Sequence, residues 1–161
     1  KLEKWELIEI QFEHVKIPEQ NLSTYFFYRS FIKDKLLSFK ILLRKYFDVN
    51  EDRFRDCIIP ANNTFGPKNV MTKLKSELIE LWDTIKFDEK KAYRFLSIFW
   101  LYLENQTLEF VYNKIIDLPA VDVEEYNVDY KNNAFSYNRN EIIELLGEFF
   151  RPISSFSDAL E

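Results

Sequence analysis

The 161-residue sequence is poor in glycine, cysteine and histidine. Its two glycines, Gly66 and Gly147, stand 81 positions apart. Phosphate-binding loops such as GxxxxGK[ST] and GxGxxG need several glycines close together, so neither can be built here. One cysteine, Cys57, and one histidine, His14, exclude the usual zinc ligand sets and argue against a Cys–His nucleophilic pair. We therefore expect no catalytic, cofactor-binding or metal site.

Long apolar runs are also missing. The longest, residues 95–103, is interrupted by Ser97 and is far shorter than the ~20 residues that span a bilayer. A single cysteine forms no intrachain disulfide and suits a reducing compartment. We expect a cytoplasmic protein without a membrane role. Met71 is the only methionine, so Lys1 is not a translation start, and we expect this chain to be a piece of a longer protein.

The residues that are abundant predict a mainly α fold. Apolar residues make up 47% of the chain, which is enough for a core, and scarce glycine disfavours tight turns and hairpins. One strand signal exists, because apolar and polar residues alternate over residues 5–17, with a change of phase near His14 that indicates a bulge or a tight hairpin. A lone histidine there is more typical of a surface or capping residue than of a metal ligand.

Helix signals follow in close succession. Pro18 and Glu19 predict the start of a helix rich in aromatic residues, in which we expect Tyr25 and Phe26 to be buried. Later helices are predicted from Ser38 to Phe47, from Asn50 to Cys57 with a break at Pro60, from Gly66-Pro67 to Ile85, from Asp88 to Leu103, from Asn105 to Leu118, and from Asn140 to Phe150. The helix that ends at Ile85 is predicted to have a solvated face with Lys73, Lys75, Glu77 and Glu80. Residues 120–139 lack a period and are predicted to form a long exposed loop.

These signals predict an irregular array of helix pairs with a small N-terminal β-hairpin or strand, similar to the edge of a winged helix. Two parts are expected. Residues 1–48 would form the winged-helix-like end, with a strand or hairpin and two helices. Residues 49–161 would form a helical array that is truncated at its C-terminal end.

Positive charge is concentrated in one segment. The chain has a formal charge of −5, but the segment from Arg29 to Lys45 carries +5. Its six cations are candidate contacts to a nucleic acid or to another partner: Arg29, Lys33, Lys35, Lys40, Arg44 and Lys45. A hairpin and a helix ahead of these cations could present them to a phosphate backbone, as a wing and helix do. Alternatively they are solvated positions that offset acidic neighbours, which is the more ordinary arrangement.

Three further residues match a loose catalytic spacing. Asp117, Asp129 and Lys131 resemble the Asp…[Asp/Glu]-x-Lys pattern of some metal-dependent nucleases, in which carboxylates hold a divalent ion and the lysine steadies the leaving charge. With 30% charged residues, such spacing arises by chance. We therefore favour a protein without enzymatic activity.

The run HVKIPEQNLSTYFFYRSFIKDKLLSFKILLRKYF, residues 14–47, resembles a segment of large bacterial antiviral STAND-type NTPases. Its most distinctive part is Gln20-Asn21-Leu22 followed by Tyr25 and Tyr28. In that family the segment follows the ATPase core, where a winged-helix element ends and a helical array begins. Residues 102–119 and 144–161 are similar to the helical repeats of such proteins. The family's ATPase residues have no counterpart here.

The resemblance implies a regulatory or sensor module of a larger cytoplasmic antiviral NTPase, acting through protein–protein contacts. Its partners would be other domains of the parent chain and a phage protein that it recognises. A nucleic-acid-binding module that uses the basic segment is the alternative. Neither function involves a cofactor or a membrane.

Overall fold

The computed structural model describes residue 3, residues 7–116 and residues 141–150. The fold is mainly α with a small two-stranded antiparallel hairpin, as predicted. The strands are β1 (Glu9–Gln11) and β2 (His14–Lys16). The helices are α1 (Gln20–Phe27), α2 (Phe39–Phe65), α3 (Pro67–Ile85), α4 (Glu89–Phe99), α5 (Glu104–Ile115) and α6 (Glu141–Phe149). The predicted 120–139 loop and the residues Asp117, Asp129 and Lys131 lie outside the described residues.

The chain divides into two compact units, Lys1–Arg94 (unit 1) and Phe95–Glu161 (unit 2), and the division falls inside α4. The sequence predicted a division after residue 48 instead. That point lies within α2, a helix that packs along α3. Residues on both sides of position 48 therefore contribute to the same core, which explains the difference.

The hairpin accounts for the change of phase in the N-terminal alternation. Ile10 pairs with Val15 and Gln11 pairs with His14, so Phe12 and Glu13 form a two-residue turn. Of the two arrangements that the sequence allowed, the hairpin is therefore the one observed. Phe12 has φ 55°, in the left-handed region that aromatic residues seldom adopt.

Helix α1 begins at Gln20, two residues after the predicted start at Pro18. Glu19 is its N-cap, and the Glu19 carboxylate accepts hydrogen bonds from the backbone N–H groups of Asn21 and Leu22. A π-helical turn, Tyr28–Lys33, continues the helix. The buried face consists of Thr24, Tyr28 and Ile32, at intervals of four residues.

The prediction that Tyr25 and Phe26 are buried is wrong. Phe26 is 45% exposed and Tyr25 is similar, whereas Tyr28 is 6% exposed. Because residues 25–28 are all aromatic, the sequence does not show which of them faces the core. The structure selects Tyr28, whose ring stacks on Phe65 at 3.8 Å between centroids and whose hydroxyl accepts a hydrogen bond from Asn69 Nδ2 at 2.8 Å.

Helix α2 is longer than predicted because it passes through Pro60. Ser38 is its N-cap, as predicted, and Ser38 Oγ accepts from the N–H of Ile41 at 3.2 Å. The two predicted segments, Ser38–Phe47 and Asn50–Cys57, meet at a kink within α2, because the backbone of Asn50 is not helical (φ −135°, ψ 37°). The predicted start of a helix at Asn50 therefore agrees with the structure. The break predicted at Pro60 is wrong. Pro60 leaves the carbonyl of Asp56 without its usual N–H donor, but Asp56 is exposed, so water can supply the missing hydrogen bond.

Gly66 ends α2 with φ 84°, and Pro67 opens α3, as predicted from the Gly-Pro pair. The two helices run antiparallel, because Asn69 lies near Phe65 whereas Lys40, at the start of α2, meets Glu77 and Glu80 of α3. Fully buried residues follow each helix at helical spacing: Phe39, Leu43, Ile58 and Ala61 on α2, and Val70, Leu74 and Leu78 on α3. They form the core of unit 1.

Unit 1 also includes the first turns of α4. Asp88 caps this helix as predicted, since Asp88 Oδ1 accepts from the N–H of Lys91 at 3.1 Å. Lys91 Nζ lies 2.7 Å from Asp48 Oδ2, and Arg94 bonds to Glu51. These ion pairs tie α4 to α2 on either side of the kink.

Unit 2 is built around aromatic side chains. Phe95, Phe99 and Tyr102 are buried and lie in sequence, with ring centroids 4.8 Å and 6.2 Å apart. A 3₁₀ turn, Trp100–Tyr102, separates α4 from α5, which starts at Glu104 rather than after the predicted cap Asn105. Helix α6 buries Leu145 and Phe149, and Phe149 packs on Trp100 at 5.1 Å.

Two substitutions on one helix test which aromatic residue supports unit 1. Tyr28→Ala should lower the free energy of unfolding by ~3–5 kcal/mol, because it removes a buried ring. Phe26→Ala should cost about 1 kcal/mol, because nearly half of that side chain already contacts water. Urea denaturation of the two variants beside the parent chain measures both values. Equal losses would contradict the assignment of Tyr28 to the core.

Candidate functional site

The six candidate cations of the basic segment do not share one environment. Arg29 bonds to the carboxylate of Asp34, and Arg29 Nη1 donates to Tyr25 Oη at 3.0 Å. The hydrogen bond to Asp34 raises the pKa of the Arg29 guanidinium above its ordinary value. Lys35 Nζ lies 2.9 Å from Glu77 Oε1. Arg29 and Lys35 are therefore engaged within the chain.

The next cations also face acids of α3. Lys40 Nζ donates to the Glu80 carboxylate, and this hydrogen bond lowers the pKa of Glu80. The positive charge of Arg44 lowers it further, which places Arg44 near the same carboxylate. Most of the segment thus offsets acidic neighbours, in accordance with the second of the two arrangements considered for it.

Three of the six cations, Lys33, Arg44 and Lys45, form no ion pair with any residue that the structure describes. Of these three, Arg44 acts on the Glu80 carboxylate, so Lys33 and Lys45 differ from the others. Lys45 Nζ lies 5.1 Å from the ring centroid of Tyr46, so the ammonium covers an aromatic face. Two lysines are a weak basis for phosphate binding, because non-specific nucleic-acid affinity depends on the number of phosphates neutralised.

Glu77 has a role that the sequence did not reveal. Its Oε1 accepts from Lys35 Nζ, and its Oε2 accepts from the backbone N–H of Lys40 at 3.0 Å. Lys40 lies in the first turn of α2, where backbone N–H groups lack intrahelical partners. Glu77 therefore caps α2 from a neighbouring helix.

Other residues predicted on a solvated face of α3 also make contacts. Lys73 Nζ lies 5.8 Å from the ring centroid of Tyr28, and Glu80 bonds to Lys40. With Asn69 and Glu77 they form a polar row along α3. The spacing of four, four and three residues was a signal for a shared face, but hydropathy alone assigned that face to solvent.

An apolar cavity of about 270 Å³ lies between α1 and α2. It is lined by Phe27, Leu42, Tyr46, Asn50, Arg53, Phe54 and Cys57. Cys57 is half-buried, and burial raises the pKa of its thiol. Tyr46 and Arg53 are exposed, so the cavity is accessible from solvent. The sequence analysis did not identify this cavity, because its walls come from residues 27–57 that combine only after α1 folds against α2.

The hairpin presents apolar side chains to solvent. Phe12, at its turn, is 99% exposed, and the cross-strand partners Ile10 and Val15 are at least half exposed. His14 is exposed in β2. Exposed apolar side chains that lie next to one another often mark a surface that contacts another protein.

Metal and membrane signals are absent from the part of the chain that the structure describes. Over residues 7–116 and 141–150, no group of three or more His, Cys, Asp or Glu side chains is arranged to hold a metal ion. None of the helices in those ranges combines the length and apolar character that crossing a membrane requires.

Comparison with protein-family models, with curated proteins and with solved structures found no match to this chain.

The capping role of Glu77 can be tested by substitutions that remove one or both of its contacts. Glu77→Ala should lower the free energy of unfolding by ~2–3 kcal/mol, because it removes a charged hydrogen bond to a helix N-terminus together with an ion pair. Glu77→Gln should cost less, since the amide oxygen still accepts from the N–H of Lys40. Glu80→Ala is the matched control at an exposed carboxylate, and its loss should be the smallest. Denaturant unfolding ranks the three, and equal effects of Glu77→Ala and Glu80→Ala would contradict the capping role.

The nucleic-acid alternative remains a prediction. It requires duplex DNA binding whose log K falls with log salt by ~0.9 for each phosphate neutralised. Because the other cations are engaged or lie near α3 acids, replacing Lys33 and Lys45 together by glutamine should remove most of that salt dependence. Fluorescence anisotropy over a salt series measures it. No binding at low salt would exclude this function.

Proposed function

We propose that this chain is a non-enzymatic regulatory or sensor module that acts through protein–protein contacts within a larger cytoplasmic antiviral NTPase of the STAND type. Its partners are other domains of the parent protein and a phage protein that triggers the response. The hairpin at residues 9–16 is the proposed contact element.

Phe12 is the observation that carries the proposal. A phenylalanine with φ 55° costs about 1 kcal/mol or more in backbone energy. Its ring is 99% exposed, so packing within the described chain does not offset that cost. A residue that tolerates positive φ, such as Asn or Gly, would suit this turn position better. An aromatic ring held at such a position is understandable if a partner buries it.

Ile10 and Val15 extend the same surface. They are direct cross-strand partners, and neighbouring side chains in such a pair lie on one face of the hairpin. Burying a Val or Ile side chain contributes ~1.5–3 kcal/mol, so these two residues and Phe12 can together stabilise a specific contact. A short hairpin is marginal by itself, and a partner would also stabilise the hairpin.

The order of elements supports the parent family. A hairpin, the aromatic helix α1 with its Gln20-Asn21-Leu22 start, a basic segment and long helices follow one another. This is the order that the resemblance to STAND-type NTPases implies for the end of a winged-helix element and the start of a helical array. The scarcity of glycine agrees with a chain that leaves ATP binding to another domain.

The first test concerns the gene. The sequence upstream of these residues should encode a GxxxxGK[ST] loop and an acidic strand, and the 161-residue chain itself should bind no ATP in calorimetry. A complete upstream sequence without that loop would contradict the assignment to an NTPase. ATP binding by the chain alone would contradict the non-enzymatic role.

The second test uses Phe12 in the complete protein. Phe12→Asn should leave stability unchanged or raise it by about 1 kcal/mol, since Asn tolerates a positive φ. It should nevertheless reduce the protection that the complete protein gives to cells challenged with a panel of phages. Phe87→Asn is the matched control, because Phe87 is 86% exposed in unit 1 but lies outside the hairpin. Full protection with Phe12→Asn would contradict the role of the hairpin.

A further inference from the structure

The cavity between α1 and α2 supports an inference about a second contact surface. We propose that it docks an acidic amphipathic segment of a partner protein, which inserts an apolar side chain between Phe27 and Tyr46 and places carboxylates beside Lys45 and Arg53. The inference rests on the proposed function in that both involve protein contacts. It uses a surface other than the hairpin and is tested separately.

The size of the cavity limits what can occupy it. A cavity of ~150 Å³ accepts benzene, and pockets for drug-sized ligands start at ~300 Å³. At about 270 Å³, this cavity lies between the two. It has room for one aromatic side chain or two aliphatic ones, and it is small for a nucleotide or a similar cofactor.

The wall of the cavity is suited to an apolar occupant. Phe27 and Phe54 contribute aromatic rings from α1 and α2, and Leu42 adds aliphatic surface. Phe27 is fixed from behind, because its ring meets Phe39 edge-on at 6.1 Å and Phe31 at 5.5 Å. The cavity is therefore bounded by packed side chains and does not depend on a loose loop.

The rim of the cavity is positive. Arg53 lines it, and Lys45 lies over the ring of Tyr46, which also lines it. Neither cation forms an ion pair with a residue in the described ranges.

Three of the four neighbouring acids of α2 are paired with other cations. Asp48 pairs with Lys91, Glu51 with Arg94 and Asp52 with Arg55. Asp56 lines a different groove, which contains Lys16 and Pro18, but its charge also raises the pKa of Cys57 in the cavity wall. With Arg53 and Lys45 against Asp56, the rim keeps an excess of one positive charge, which is complementary to carboxylates on the partner.

Exposed apolar residues continue beyond the cavity along α2. Val49 lies three residues from Tyr46, and Ile41 lies four residues from Lys45, so helical spacing makes each a neighbour of the rim. Both are strongly exposed. This exposed apolar surface extends over more than two helical turns. A segment of a protein can cover all of it, whereas a small amphiphile would fill only the cavity, so we favour a protein segment as the occupant.

Cys57 provides the measurement, because the only thiol of the chain lies in the cavity wall. Burial raises the pKa of this thiol, so alkylation by iodoacetamide is slow and can be followed at alkaline pH. The probe is a synthetic helical peptide with Leu and Phe on one face and Glu on its flanks. At about ten times its Kd, this peptide should slow alkylation by about tenfold, because only the unoccupied cavity reacts.

Three control peptides separate the contributions to binding. One carries Lys in place of Glu, one carries Ala in place of Leu and Phe, and one carries both changes. Each should have a Kd at least about tenfold higher, corresponding to ~1.4 kcal/mol or more of binding free energy, so that at the same concentration it slows alkylation of Cys57 by about twofold or less. Protection by the Lys-flanked peptide equal to that by the Glu-flanked peptide would overturn the proposal.

Two charge-reversal variants test the rim. Arg53→Glu should weaken binding of the acidic peptide by about tenfold or more through charge repulsion, whereas Lys68→Glu should change it little. Lys68 is the matched control because it is exposed in the first turn of α3 and does not line the cavity. Both sites are exposed, so folding should be retained, and circular dichroism checks this.

The remaining outcomes would also overturn the proposal. A short fatty acid that protects Cys57 as well as the acidic peptide would assign the cavity to small amphiphiles. Protection that rises with the concentration of the chain itself, together with a doubled mass in sedimentation, would assign it to a second copy. Protection by no probe would leave the cavity without a ligand of this class. None of these results bears on Phe12, so the proposed function is tested independently.

Discussion

Unit 1 depends on the carboxylate of Glu77, which joins three parts of the chain at the start of a helix. One oxygen accepts from the first turn of α2, and the other binds Lys35, a residue with φ 49°. Lys35 lies in the short segment between the π-helical turn and α2, so the ion pair holds a left-handed residue in place. Glu77 of α3 thus contacts both the first turn of α2 and the segment that leads into it, and α2 is one of the two helices that border the apolar cavity.

Local sequence signals predicted the elements better than their packing. Residues with a single local role were interpreted correctly: Ser38 and Asp88 as N-caps, and Gly66-Pro67 as the junction of two helices. Pro60 was interpreted incorrectly, because the cost of a proline in a helix depends on whether water can reach the freed carbonyl. Phe26 was also interpreted incorrectly, because residues 25–28 are all aromatic and hydropathy does not show which of them faces the core.

The candidate surfaces were predictable only in part. Charge counting found the segment that contains Lys33 and Lys45, but it did not show that Lys35 and Lys40 face acids about forty residues later in the chain. The cavity was not predictable, since its volume is the space left between α1 and α2 by a particular packing. The positive φ of Phe12 was not predictable for another reason. Alternation of apolar and polar residues identifies a strand, but which residues form the turn, and with what backbone angles, depends on the register of the hairpin.

The single residue Gly66 that separates α2 from α3 has a consequence for the order of folding. The two longest helices, of 27 and 19 residues, are joined with almost no loop, so bringing them together costs little closure entropy. Contacts close in sequence form fastest. The α2–α3 pair is therefore the natural nucleus of unit 1. Helix α1 and the π-helical turn that continues it, which bonds to α3 through Tyr28 and Asn69, would then be added to a scaffold that already exists.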